Sequence, residues 1–131
     1  KLEFAANYTW QNPEFSGGIN DGNDIPLVPR QMATSSLVMQ FLDYFYLSFT
    51  GRYIGSRFIL NDIANEITPA KPYYVVDMKL AYKRKYIELW AAINNLFDEQ
   101  YAAFEAKKTL TLKDIYPAPE QNFLFGINFQ F

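Results

Sequence analysis

Phe123-Leu124-Phe125-Gly126-Ile127-Asn128-Phe129-Gln130-Phe131 puts a large apolar side chain at every odd position and stops on an aromatic ring. A β-strand sends successive side chains to opposite faces, so Phe123, Phe125, Ile127, Phe129 and Phe131 form one apolar row and Leu124, Gly126, Asn128 and Gln130 a wetter one. The pattern predicts a strand whose one side faces lipid. A half-buried strand of a soluble protein alternates in the same way, so the segments upstream have to decide between the two.

Five such segments precede it. Tyr86 to about Leu96 opposes Ile87, Leu89, Ala91 and Ile93 to Tyr86, Glu88, Trp90 and Asn94. Tyr73 to Tyr82 opposes Val76, Met78, Leu80 and Tyr82 to Val75, Asp77, Lys79 and Ala81, and a charged turn, Lys83-Arg84-Lys85, joins these two. Tyr44 to about Arg57 sets Phe45, Leu47, Phe49, Gly51 and Tyr53 against Tyr46, Ser48, Thr50 and Arg52. Met32 to Phe41 reaches it through a short turn at Leu42-Asp43, and Leu2 to Trp10 comes first, with Leu2, Phe4, Ala6, Tyr8 and Trp10 on one side. The other connections are long. They carry turn chemistry such as Pro13, Gly17-Gly18, Asn20 to Asp24 and Pro26, then Pro69 and Pro72, then about Asp98 to Gln121.

Long loop, short turn, long loop, short turn, long loop is the order of an up-and-down meander in an outer membrane, with short turns on the periplasmic side. A soluble meander has no reason to sort its loops by end. The expected fold is therefore all-β, an antiparallel up-and-down meander of about six strands forming part of a transmembrane β-barrel. Six strands do not close a well-filled barrel, for which about eight is the practical minimum, and open edges are not tolerated in hydrocarbon. The chain also begins at Lys1-Leu2-Glu3-Phe4 already inside a strand pattern, so it is expected to be a segment of a longer protein.

Composition agrees. Twelve Phe, ten Tyr and two Trp make 18% of the 131 residues, a content suited to strands with interfacial aromatic girdles. There is no run of about 18 apolar residues, which excludes a transmembrane helix but not a barrel strand of about 9 to 11 residues. A net charge of −2 without a basic stripe makes nucleic acid an unsuitable partner. The chain has neither Cys nor His, which removes disulfides, thiolate metal sites, Cys nucleophiles and imidazole acid/base chemistry. We expect no catalytic activity, metal centre or cofactor.

Three stretches carry a family resemblance. Asn94-Asn95-Leu96-Phe97-Asp98-Glu99-Gln100-Tyr101, then Tyr116-Pro117-Ala118-Pro119-Glu120-Gln121-Asn122-Phe123, then the terminal Phe131 resemble in order and spacing the C-terminal end of the TonB-dependent outer-membrane receptors. Ile25 to Arg30 and Tyr53 to Arg57 are similar to that family as well. The resemblance implies a barrel of about 22 strands, filled by an N-terminal plug domain, in the outer membrane of a Gram-negative bacterium. Such receptors import scarce ligands, commonly ferric siderophores or other metal chelates, with energy delivered by the TonB complex to the N-terminal part. Residues 1–131 would be the C-terminal segment of that barrel, without the plug. Expected partners are outer-membrane lipid, the plug and remaining strands, the TonB complex, a small-molecule ligand and the barrel-assembly machinery. Phe123, Phe125, Ile127, Phe129 and Phe131 match the terminal-strand signal that this machinery reads. A structural or adhesive outer-membrane barrel, or a soluble ligand-binding barrel, are the alternatives.

Candidate ligand contacts are Arg52 and Arg57, whose forked donors suit anionic groups, and Trp90, on the polar side of its strand. Asp77, Lys79 and Glu88 read as a charge network satisfying a polar interior. Asn20 to Asp24 lacks the spacing of a calcium loop and reads as a solvated turn. Lys107, Lys108 and Asp114 read as solvated loop charges.

Overall fold

A computed structural model describes residues 1–131. Six strands form one antiparallel sheet in chain order: β1 (Leu2–Trp10), β2 (Gln31–Phe41), β3 (Phe45–Ile54), β4 (Tyr73–Arg84), β5 (Ile87–Asn94) and, after an intervening hairpin, β8 (Asn122–Phe129). The hairpin, β6 (Ala102–Lys107) and β7 (Lys113–Pro117), is a separate two-stranded sheet inside the last long connection. The strand edges are β1 and β8.

The register is what sorts the chemistry. Residues opposite one another in an antiparallel pair share a face. The row Phe4, Leu37, Phe49, Met78, Ile93, Phe123 therefore runs across the whole sheet on one side. So does the row Leu2, Met39, Leu47, Leu80, Ala91, Phe125. Among the paired positions of this face Arg84 is the one charge. The opposite face carries Glu3, Arg52, Asp77, Lys79, Lys83 and Glu88. Each paired side chain assigned above to an apolar or a polar row lies on the expected side; the last strand ends at Phe129, so Gln130 and Phe131 lie beyond the register.

Neither face is covered by a second layer. Only 13 of the 131 residues are buried, and Phe4, Phe125 and Phe129 are 70%, 79% and 65% exposed. A soluble domain of this length buries a contiguous apolar core. Here the buried residues gather largely where β3 and β4 run into the long loops, as Arg57, Ile59, Asp62, Ala70, Val75 and Asn95.

Several expected boundaries shift. The third strand stops at Ile54, not Arg57, because the chain turns at Gly55 and Arg57 pairs instead with Ala70. The fourth continues through Lys83 to Arg84, and the fifth begins at Ile87 and ends at Asn94 rather than Leu96. The turn between them is thus Lys85-Tyr86, with Lys85 in the left-handed region at φ 38°. The connection from Asp98 to Gln121, read as loop throughout, contains β6 and β7.

Candidate functional site

The long-loop end of the sheet is built from side chains that cap and tie. Asn95 follows β5 with φ 53° and is 3% exposed; its amide oxygen accepts from the Glu99 N–H at 2.9 Å and its amide nitrogen donates to the Glu99 carbonyl at 2.9 Å. The Asn95 backbone N–H donates to Asp77 Oδ1 at 2.9 Å, fixing this turn to β4. Asp98 then accepts from the Gln121 N–H at 2.9 Å, Gln121 Nε2 donates to the Leu96 carbonyl, and Asn94 Nδ2 donates to Asn122 Oδ1 at 3.0 Å. The motif residues Asn94, Asn95, Leu96, Asp98 and Asn122 therefore close the last long connection onto the sheet. Phe97 is 72% exposed and is not part of that closure.

Arg57 lies in the second long loop, 7% exposed, with Nη2 donating to the carbonyls of Ala102 and Ala103 at 3.4 and 3.3 Å. Its guanidinium carbon is 5.4 Å from the centroid of the Tyr73 ring, which in turn stacks on Tyr101 at 4.2 Å. Nη1 is buried and has no hydrogen-bond partner. Arg57, Tyr73 and Tyr101 line a half-open cleft of about 430 Å³ with Glu105, Lys113 and Pro117 on its far wall. Lys113 Nζ lies 2.5 Å from Glu105 Oε2, so that carboxylate is neutralised. Burial, with the neighbouring Tyr73 adding to it, pushes the Tyr101 hydroxyl above the ordinary tyrosine value.

Arg52 lies below this cleft on the polar face, half-exposed, with Nη2 3.2 Å from Asp77 Oδ2. It lines a shallow polar depression together with Tyr101, Asn94 and Asn122. The structure thus brings Arg52 and Arg57 to neighbouring surfaces of the same rim. Trp90 is elsewhere. It lies flat across β8, where Gly126 is its direct partner in the register, and any Cβ at Gly126 would overlap the indole. Lys79 Nζ sits 4.8 Å from the Trp90 ring centroid. Lys79 and Lys83 each approach Glu88 at 3.6 Å, as expected for Lys79 and Glu88, whereas Asp77, expected to join them, pairs with Arg52 instead.

The three long loops form one layer. Asn65 of the second loop exchanges hydrogen bonds with Asp24 of the first, and Leu27 N–H donates to the Phe58 carbonyl. Asp24 also binds Arg30, which reaches Glu14 as well and is held firmly protonated by both; Asp21 accepts from the Gly17 N–H. The acidic stretch is spent on turn closure. Lys107, expected to be solvated, is instead a tie: Nζ lies 2.7 Å from Glu66 and 3.2 Å from the fully buried Asp62, and Leu60 forms a parallel bridge with Ala106. No composition or spacing signal marks Lys107 for this contact. Tyr116 stacks on Phe104 across the hairpin at 4.2 Å, and Pro117 ends β7 against the cleft.

A meander with one apolar face, one charged face and all long connections at one end defines a segment of a β-barrel wall. Residues 1–96 match the family model of the TonB dependent receptor-like β-barrel, and the chain belongs to that family. Solved structures agree on the fold. The siderophore receptor PiuA of Acinetobacter baumannii matches with a TM-score of 0.81 at 24% identity, over 98% of this chain and 19% of that one. The closed form of the ferric-catecholate import receptor Fiu of E. coli K12 gives 0.80 at 25% identity over 99% and 19%. The ferric citrate transporter FecA, unliganded, gives 0.80 at 18% identity over 98% and 20%. The chain spans about a fifth of the length of the receptors it matches.

Proposed function

We propose that residues 1–131 are the C-terminal wall segment of an outer-membrane receptor that imports a scarce ligand, a ferric siderophore or similar metal chelate, into a Gram-negative bacterium. The observation that carries this reading is the sorting of the two faces across six strands, apolar toward lipid and charged toward a lumen, in a chain of this family. The similar structures are, by name, a siderophore receptor, a ferric-catecholate receptor and a ferric citrate transporter, which supports the ligand class. The unpaired edges of β1 and β8 call for further strands, and the charged face suits contact with a plug domain. Energy coupling to TonB would reach the receptor through that plug, and the apolar row ending at Phe131 would serve the assembly machinery.

Arg52 and Arg57 are the proposed ligand contacts of this segment, since Arg52 is half-exposed at the long-loop rim and Arg57 lines the cleft beside the Tyr73–Tyr101 stack; Trp90, lower on the same face, would meet the plug or a ligand in transit. The role is uptake without catalysis. The test is growth and radioiron uptake under iron restriction, in cells whose one route for a given ferric chelate is the receptor containing this segment. Deleting the receptor should abolish uptake of at least one chelate, and Arg52→Ala with Arg57→Ala should lower it about tenfold or more, on the scale of losing charge-assisted hydrogen bonds. Unchanged uptake of every chelate tested after deletion would overturn the reading and favour a structural barrel.

A further inference from the structure

The short-turn end of the apolar face holds charges that barrel closure does not explain. Arg84 is the one charged residue among the paired positions of that face, and Lys85 follows it in the turn. Both are exposed, and neither makes an ion pair, whereas Lys83 beside them is taken up by Glu88. Each lies over an aromatic ring instead: the Arg84 guanidinium carbon is 5.4 Å from the Tyr44 centroid and Lys85 Nζ is 4.6 Å from that of Tyr86. Tyr44 packs edge-on against Tyr82 at 6.2 Å, so the cations crown an aromatic belt of the kind that sits at headgroup depth.

Below the belt the wall is indented. Small Ala91, between the bulkier Leu80 and Phe125 of its register row, opens an apolar groove of about 570 Å³ that Leu89 and Ile127 continue toward the turn. Arg84 stands one pleat beyond Tyr82 on the same strand face, about 7 Å farther along. A groove for hydrocarbon thus runs up to a pair of uncompensated cations. Nearby carboxylates make no ion pair with them: Glu88 is held by Lys79 and Lys83 on the other face, and Asp43 of the adjacent turn is bonded to neither.

We propose that this face binds one anionic phospholipid of the periplasmic leaflet, its phosphate held by Arg84 and Lys85 and an acyl chain lying in the Ala91 groove. A phosphate suits this pair because Arg presents a fork of donors and Lys a mobile point charge, and both stay protonated at neutral pH. Basic pockets against lipid-facing surfaces favour anionic over zwitterionic headgroups in this manner. Phospholipid is the commitment because the short turns of such barrels face the periplasm.

The inference rests on the membrane-barrel reading, and the experiment separates the two. The full receptor containing this segment is purified in detergent with equal amounts of phosphatidylglycerol and phosphatidylcholine of identical chains, and retained lipid is read by native mass spectrometry. The expected result is one phosphatidylglycerol retained in preference, roughly tenfold, to phosphatidylcholine. Arg84→Gln with Lys85→Gln should erase the preference, Arg84→Lys should keep most of it, and Ala91→Phe should reduce retention of both lipids by filling the groove. Heat-modifiable migration on gels checks that each variant is a folded barrel. Equal retention of the two lipids by a folded, uptake-competent receptor overturns the lipid site alone, as does a phosphatidylglycerol preference that survives the charge removal. A receptor that never enters the outer membrane overturns the barrel reading instead.

Discussion

Asn95 shows how much a single family residue does. It occupies the left-handed region, which costs most side chains about 1–2 kcal/mol but is reached more easily by Asn, and it fills both hydrogen-bonding ends of its amide within the turn it starts. Asn95→Ala should therefore lower the unfolding free energy of the receptor by about 2–3 kcal/mol, and Asn95→Gly by less, since glycine restores the backbone while losing the two bonds. Thermal unfolding in detergent distinguishes them; equal losses would assign the whole effect to the side-chain bonds. Trp90 and Gly126 form a second residue-scale unit, because the indole occupies the volume a Cβ would need. Gly126→Val should cost about 1–3 kcal/mol by forcing the ring off β8. In the background of Trp90→Ala the same change should cost little, and a double-mutant cycle without that coupling would show that the ring rests elsewhere.

At the scale of elements, the hairpin β6–β7 is held to the second loop chiefly by the Leu60–Ala106 bridge and by Lys107 on Asp62 and Glu66. Asp62 also accepts from the N–H groups of Glu66 and Ile67, at 3.0 Å each, so it keeps partners when Lys107 is removed. Lys107→Met should then loosen the hairpin without unfolding the second loop, read as faster amide exchange over 102–117 and at Leu60, whose N–H donates to the Glu105 carbonyl, with 62–70 unchanged. The hydrogen bond to Glu66 raises the Lys107 ammonium above its ordinary value, and burial raises Tyr101. Both folded values lie above the unfolded ones, so their contribution is complete below about pH 10 and is lost as pH climbs through the folded values. Alkaline titration should release the hairpin before the sheet, and acidification to about pH 6 should leave these two groups' contributions intact. The six sheet strands were legible because a barrel wall separates lipid from a wet interior, which imprints period-two alternation on Leu2 to Trp10 and Phe123 to Phe131 alike. The hairpin carries no such imprint: Ala102, Ala103 and Ala106 blur the period, a register shift lies between Ala102 and Phe104, and the pairing is set by a loop about 40 residues upstream. The position of the Lys85-Tyr86 turn is hidden for a related reason, since no Gly or Asn marks its left-handed residue. Of the candidate site, the arginines were legible by charge, but the Tyr73–Tyr101 stack beneath Arg57 joins residues that only the closed loops bring together.

For the whole molecule, the decisive quantity is unpaired backbone. β1 presents nine residues and β8 eight along edges with no neighbour, and the apolar face between them has no cover. In hydrocarbon each unsatisfied amide or carbonyl costs several kcal/mol, so the segment is stable there only when both edges are paired. In water the same edges are templates for association, and the exposed row of Phe4, Phe123, Phe125, Ile127 and Phe129 adds a driving force proportional to its area. Residues 1–131 produced alone should therefore aggregate in detergent-free buffer and, in micelles, sediment as multimers joined through β1 and β8. Crosslinks between cysteines introduced at Ala6 and Phe125 should form between copies, because both residues lie on the apolar face of edge strands whose mates in this chain are on the far side. Sedimentation of a monodisperse monomer without detergent would contradict the barrel-wall assignment, since the sheet would then have found a way to cover the apolar face and both edges from its own 131 residues.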